Sequence, residues 1–183
     1  MPAKPVSASR VEIAQIMQPN DANFLGKVFG GRILEMIDLC AYAASSKHAG
    51  RVCVTASFDR VDFHEPINVG EHVSMIGQVS FVGRTSMEVT IEIYAQNLQT
   101  SDKRHTNTAR VTMVAIDANG KAVPVPSLQP ESREEKLRFL QGKLRRELRS
   151  EQKNELESRA AEFEKASDAE LESMVAADRI IRR

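Results

Sequence analysis

From Arg32 to Lys47 the chain runs without a proline or glycine, and Ile33, Leu34, Met36, Ile37, Leu39, Cys40, Ala41, Ala43 and Ala44 make that stretch apolar on nearly every side of a helix. Such a helix has no face for solvent and must sit inside something. The chain beyond the helix can wrap it, because after Val52 the period changes to two. Val73, Met75, Gly77, Val79 and Phe81 alternate with mostly polar neighbours, and Met87, Val89, Ile91 and Ile93 alternate with Glu88, Thr90 and Glu92. This is the pattern of antiparallel strands with one covered face. Val111, Met113 and Ala115 predict another strand, with turns at residues 68–70, at Gly83-Arg84 and at Asn119-Gly120. Residues 11–17 predict an edge strand before the helix, and residues 18–31, rich in Pro, Asn, Asp and Gly, a loop. Between Val52 and Phe63 the apolar positions are even as far as Phe58 and odd at Val61 and Phe63, a phase slip that predicts a β-bulge at Asp59-Arg60. A strand, one buried helix and four strands make an α+β fold, an antiparallel sheet wrapped around a central helix.

Charge divides the chain. Residues 131–183 carry 13 of the 25 basic and 13 of the 25 acidic side chains, so that segment is about half charged, well above the average fraction. The Pro-rich stretch Val123 to Pro130 runs extended, because each proline fixes its own φ and biases its predecessor away from helix. The predicted division is therefore a globular domain over 1–130 and a charged helical extension over 131–183. In the extension Leu137, Leu140, Leu144 and Leu148 predict one amphipathic helix able to dock on the sheet or on another subunit. Beyond Ser150 the apolar positions are too sparse for a heptad seam, which predicts a solvated helix with i,i+4 ion pairs.

The formal net charge of zero gives no global field toward nucleic acid or an anionic membrane, and no apolar run approaches the ~20 residues of a spanning helix. The first ten residues contain no apolar leader segment, so the expected compartment is the cytoplasm. Cys40 and Cys53 share no metal or redox spacing and are expected as buried free thiols. His48, His64, His72 and His105 form no i,i+4 pair or Cys/His cluster, so no metal site is expected, and His64, ahead of Glu65-Pro66, is either half of a His-Asp dyad or, as a lone His at a strand end more often is, structural.

Gly26 and Gly31 have the first spacing of a phosphate-binding P-loop, but Arg32-Ile33 stands where Lys and Ser/Thr are required, and that motif is rejected. What remains is the pair Gly30-Gly31 at a helix N-terminus, where unpaired amides and the positive end of the dipole can hold a developing oxyanion, and where a missing side chain lets a carbonyl approach. Asp38 follows Gly31 by two turns on the same side. It is the acidic residue deep in the apolar helix, and an unpaired buried carboxylate is costly, so it is kept either for chemistry or for a structural partner. Glu35 lies nearer the helix start, where the dipole favours acids, and is read as structural. Arg84, Thr85 and Ser86, in the turn between two strands, offer a guanidinium, two hydroxyls and backbone amides suited to phosphate, or make an ordinary polar turn.

Asn20-Asp21-Ala22-Asn23 with Gly26 and Gly30-Gly31, then Asp38, the run Val61 to Ile67 and the run Val82 to Ser86 resemble, in the same order, the cytosolic acyl-CoA hydrolase branch of the hotdog-fold thioesterases, over about residues 10–135. The resemblance implies the hotdog fold and an acyl-CoA thioesterase that hydrolyses fatty acyl-CoA to free acid and coenzyme A. Asp38 would be the carboxylate that activates water or attacks the thioester. Asn23 would orient water or the carbonyl from the facing subunit, and the Gly31 amide would polarise the thioester oxygen beside Gly30. Arg84, Thr85 and Ser86 would meet the coenzyme A phosphates. Many relatives have His where this chain has Phe29, so position 29 carries no assigned role. No cofactor and no metal are implied, since the coenzyme A thioester is itself the substrate. A single wrapped sheet leaves an edge to pair, so the expected assembly is a homodimer or a trimer of such dimers.

Two other readings compete. A hotdog enoyl-CoA hydratase or dehydratase needs a His paired with a helix carboxylate near the substrate β-carbon, which Gly30-Gly31 and Asp38 fit less well. A non-catalytic acyl-CoA-binding regulator would need a DNA-reading domain, and fewer than about 20 residues precede the loop, too few for a helix-turn-helix.

Overall fold

The computed structural model describes residues 1–59, 61, 63 and 65–177. In chain order the elements are β1 (Lys4–Pro5), β2 (Val11–Ile16), α1 (Gly30–Ala49), β3 (Cys53–Phe58), β4 (His72–Val82), β5 (Ser86–Gln96), β6 (Lys103–Ala115), β7 (Leu128–Gln129), α2 (Arg133–Lys165) and α3 (Asp168–Val175). The five main strands form one antiparallel sheet in the order β2-β4-β5-β6-β3, and β1 pairs in parallel with β7 beside it. The predicted fold is the observed one.

α1 packs on the concave face. Ile37, Cys40, Ala41 and Ala44 on the helix, and Val73, Met75, Val79, Val89, Ile91, Ile93, Val111 and Met113 on the sheet, are all buried. Full burial of each larger aliphatic side chain stabilises by about 1.5–3 kcal/mol. Gly77 shows how close the layers come, since a Cβ there would stand 2.6 Å from Cys40 Sγ. A glycine in mid-strand, ordinarily weakening, here lets helix and sheet approach. At its other end α1 stops at Gly50, whose φ of 65° is the left-handed conformation a glycine takes without a side-chain clash.

Three expectations need correction, and a fourth falls partly outside the described residues. The helix begins at Gly30 rather than Arg32, so Gly30 and Gly31 are its first two residues and not its approach. It is also not buried all round, because Leu39 and Tyr42 remain 53% and 44% exposed and Asp38 beside them is half-buried. Phe81 does not share the face of Val79. A register shift between Val79 and Phe81 sets Phe81 opposite Glu88, on the sheet's other face, where Gly142 and Phe139 of α2 cover it, with ring centroids 5.2 Å apart. The bulge in β3 lies between Thr55 and Ser57. It precedes the predicted Asp59-Arg60, and Arg60 is outside the described residues.

β6 begins eight residues before Val111. Lys103 to Arg110 show no apolar alternation, and they form strand because β5 offers a partner over the whole length. Contacts divide the chain into the units Met1–Gly142 and Lys143–Arg183. The first unit includes the opening turns of α2, held by Arg138 on Glu92 at 2.6 Å and by the close approach of Gly142 to Phe81. In the second unit, Lys153–Glu157 and Arg159–Glu155 make i,i+4 ion pairs, and Ser167 and Glu170 cap α3 reciprocally. The leucine stripe Leu137, Leu140, Leu144 and Leu148 is exposed, and within the first unit Leu137 and Leu140 are not laid on the sheet. Phe139 and Gly142, from another face of the same helix, take that place.

Candidate active site

The loop before α1 is built from short-range polar bonds. Asp21 accepts from the Gln18 amide at 2.7 Å, and Asn23 Oδ1 accepts from the amides of Leu25 and Lys27 at 2.9 and 3.2 Å, the side-chain turn that Asn favours. The Phe29 amide donates to Asp21 O at 2.8 Å, and Arg32 pairs with Asp21 at 3.1 Å and with Glu35 at 2.6 Å. Glu35 thus has a partner on its own helix, and the two acids, that hydrogen-bonded neighbour first, hold Arg32 firmly in its charged form.

Gly30 and Gly31 supply two of the four amides that a helix start leaves without an intrahelical partner. No side chain caps this end. The ring of Phe29 occupies the space that a Cβ on Gly31 would need, so glycine at 31 fits the observed conformation of its neighbour. Gly30 faces a cleft of about 440 Å³ that also involves Asn23, Val28, Ile33, Phe63 and Ile67. Gly31 faces a second, of about 470 Å³, with Asn23, Phe29, Arg32 and Glu35. The loop asparagine therefore borders both.

Asp38 lines neither cleft. Its carboxylate Oδ1 accepts a 2.5 Å hydrogen bond from the hydroxyl of Thr55 on β3, and the same hydroxyl oxygen lies 3.4 Å from Met113 Sδ. Thr55 was not singled out from the sequence. The even apolar set Val52 and Val54 draws attention to itself, yet these residues stand 56% and 43% exposed, while Cys53 on the opposite face is buried against the helix. The odd face of β3 is the one that meets α1, and the usable signal was a hydroxyl two residues from a buried cysteine.

Arg84, Thr85 and Ser86 form the β4–β5 turn, closed by the Gly83 amide on Ser86 O at 2.7 Å. The carbonyls of Arg84 and Thr85 accept from Val125 and Ala115 at 3.1 Å each, which ties the turn to the Pro-rich exit and the end of β6. The Arg84 side chain is exposed. These three residues are not brought to either cleft within one chain.

Elsewhere, Cys40 and Cys53 are buried free thiols, and burial pushes the Cys40 thiol up to about 12. Among the described residues no group of three His, Cys, Asp or Glu could hold a metal ion, and no helix is long and apolar enough to cross a membrane. His64 lies outside the described residues.

Residues 25–101 match the thioesterase superfamily. The chain is 40% identical over 117 residues to YkhA of Bacillus subtilis, an acyl-CoA thioester hydrolase by name, covering 64% of this chain and 68% of the relative. A crystal structure of an apo-hexameric acyl-CoA thioesterase superposes with a TM-score of 0.80 at 39% identity, over 83% of this chain and 97% of that one. The acyl-CoA hydrolase of Staphylococcus aureus, solved with butyryl coenzyme A, coenzyme A and coenzyme A disulfide, has a TM-score of 0.79 at 32% identity, over 88% and 99%.

Proposed function

The chain belongs to the thioesterase superfamily and is an acyl-CoA thioester hydrolase, and from that premise we propose which residues do the work and how two chains share it. The substrate is a fatty acyl-CoA and the products are a free acid and coenzyme A. Asp38 is the catalytic carboxylate, with Thr55 as its hydrogen-bonding neighbour. It takes a proton from water as the water adds to the thioester carbonyl and the thiolate of coenzyme A leaves, or it adds to that carbonyl itself, the thiolate leaves, and water then hydrolyses the mixed anhydride to free the acid and restore Asp38. The amide of Gly31 stabilises the oxyanion, Gly30 leaves room for the carbonyl, and the amide of Asn23 orients it. Arg84, Thr85 and Ser86 receive coenzyme A phosphates. No metal or redox group enters this scheme.

The observation that carries the reading is the separation of Asp38 from Asn23. Asp38 and Thr55 lie beside Leu39 and Tyr42, exposed apolar side chains of α1 near the β3 edge of the sheet, whereas Asn23 borders clefts that exclude Asp38. A free strand edge with apolar neighbours is a surface for a second copy. In the homodimer the partner's loop completes the site, and three such dimers would make a hexamer, the assembly named for two related thioesterases. The loop tip is suited to reaching across, since Phe24 is 98% exposed. Further support comes from the Staphylococcus aureus hydrolase, which has been solved with an asparagine, an aspartate and a threonine each replaced by alanine. Those three residues are separated by the same two intervals as Asn23, Asp38 and Thr55. We place the enzyme in the cytoplasm, where acyl-CoA and reduced thiols coexist.

The test is thiol release across an acyl-CoA chain-length series with wild type, Asp38→Asn and Arg84→Ala. Asp38→Asn should lose at least about 100-fold in turnover with the fold intact, the usual scale for a general base. Arg84→Ala should raise KM more than it lowers kcat, because a phosphate contact is made in ground and transition states alike. Near-normal turnover in Asp38→Asn would remove Asp38 from the chemistry.

A further inference from the structure

Arg104 is a cation that the hydrolytic scheme leaves unused, and its four contacts fall within residues 65–71, two on Glu71 and one each on Glu65 and Pro66. It pairs with Ala95, a buried residue of the helix-facing side of β5, so its side chain leaves the sheet on the side that carries α1. Nη1 and Nη2 donate to the two carboxylate oxygens of Glu71 at 2.6 and 2.9 Å. Nη2 also donates to Pro66 O at 3.0 Å, and Nε pairs with Glu65 at 3.1 Å. Glu71 is buried, and it accepts a further bond from the Asn68 amide at 2.8 Å. Hydrogen bonding from Arg104, more than any other cause, holds the Glu71 carboxyl below the usual carboxylate range, so the pair stays ionised in ordinary buffers.

The segment so held, Glu65 to Ile67, is one wall of the cleft that contains Gly30 and Asn23. Its far side is attached to the loop before α1, where the Val28 amide donates to Ile67 O at 2.9 Å and Lys27 Nζ to Asn68 Oδ1 at 2.6 Å. The wall belongs to no helix or strand. Its position comes from these bonds and from the burial of Ile67 in the core, and a planar guanidinium that forks onto a carboxylate while reaching a carbonyl and a second acid fixes several points at once. The surface it presents beside Phe63 and Ile33 is apolar at Pro66 and Ile67.

We propose that Arg104 is a positioning residue for substrate binding: it holds the Glu65–Ile67 wall in place so that the acyl-CoA meets a preformed surface beside Gly30. The inference rests on the acyl-CoA hydrolase reading and adds a residue that touches no reacting atom. Preforming a binding surface removes an ordering cost that is otherwise met on association, so its loss is felt in KM.

The experiment compares steady-state hydrolysis of one acyl-CoA by wild type, Arg104→Lys, Arg104→Ala, Glu71→Gln and the double variant Arg104→Ala/Glu71→Gln, well below each melting temperature. The expected result is a KM raised about tenfold in Arg104→Ala and Glu71→Gln, with kcat within about twofold, since the contact acts on binding rather than on bond breaking. The double variant should be no worse than either single one, because the two residues act as a unit. Arg104→Lys keeps the charge but not the fork and should fall between. A purely structural role would lower the melting temperature and leave KM unchanged in the folded variants, and that result overturns the proposal. Where Arg104→Ala does not fold, Arg104→Lys and Glu71→Gln decide by the same criterion. Failure of the wild type to release thiol from any acyl-CoA would instead overturn the hydrolase reading.

Discussion

The hydroxyl of Thr55 donates to Oδ1 of Asp38 at 2.5 Å, joining β3 to the open face of α1 in a single short bond. A hydrogen bond to a charged acceptor contributes about 1.5–3 kcal/mol, roughly ten- to a hundredfold if it is felt in the transition state. Thr55→Val keeps the shape of the side chain and removes the donor. Its kcat should fall at least about tenfold with little change in KM, while Thr55→Ser should recover most of the activity. Wild-type kcat in Thr55→Val would show that the bond only packs the helix against the strand.

Sharing of the site between subunits has a direct assay. Inactive Asn23→Ala and Asp38→Asn proteins, mixed and allowed to exchange subunits, should regain activity, because each mixed dimer holds one site with both residues intact. With random pairing half the dimers are mixed, and about a quarter of wild-type activity is expected from two-fold symmetry. No recovery after verified exchange would put both residues in one protomer's site, and a monomer by sedimentation would end the dimer model.

His48 offers a pH test of stability that is independent of catalysis. It is fully buried near the end of α1, with Nε2 2.9 Å from Pro126 O and Nδ1 without a partner, so the ring donates to the carbonyl and is neutral. Burial lowers its pKa first and the Lys4 ammonium adds to that, against the raising effect of Pro126 O. The unfolded ring titrates near ~6.5, above the folded one, so the unfolded state binds more protons between the two values. Stability is therefore full above about pH 6.5 and is lost as pH falls through the folded pKa. Melting temperatures from pH 8 to 5 should drop more steeply for wild type than for His48→Gln, which keeps a donor and cannot titrate. Parallel slopes would show that the ring is not the titrating group.

Truncation at Ser150 tests the charged extension. Residues 151–177 present exposed or half-buried side chains and surface ion pairs, which contribute little each. The shortened protein keeps Phe139 and Gly142 on the sheet and should retain activity, with its melting temperature lowered by no more than a few degrees. A large loss of stability or a change in oligomer size would identify the extension as an assembly element.

The change of period along the chain was enough to set the architecture, because a helix apolar at Ile37, Cys40 and Ala44 and strands alternating from Val73 to Ile93 admit few arrangements other than a sheet around a helix. Local anomaly also singled out Gly30, Gly31 and Asp38, since a glycine pair at a helix start and an acid in an apolar stretch both stand out from their neighbours. The ordered motifs carried the likeness to acyl-CoA hydrolases.

Which face of an element meets which neighbour was decided by the tertiary structure. One extra residue in a strand reverses every side chain beyond it, and such a slip moved Phe81 to the α2 side of the sheet. Val52 and Val54 were apolar without being inside, because a strand at a sheet edge can carry apolar side chains on both faces. Thr55 could not be paired with Asp38, nor Arg104 with Glu65 and Glu71, from sequence alone. Their partners lie tens of positions away or across a strand-to-helix gap, and no local period encodes a contact that exists only after β3 and β6 have closed around α1.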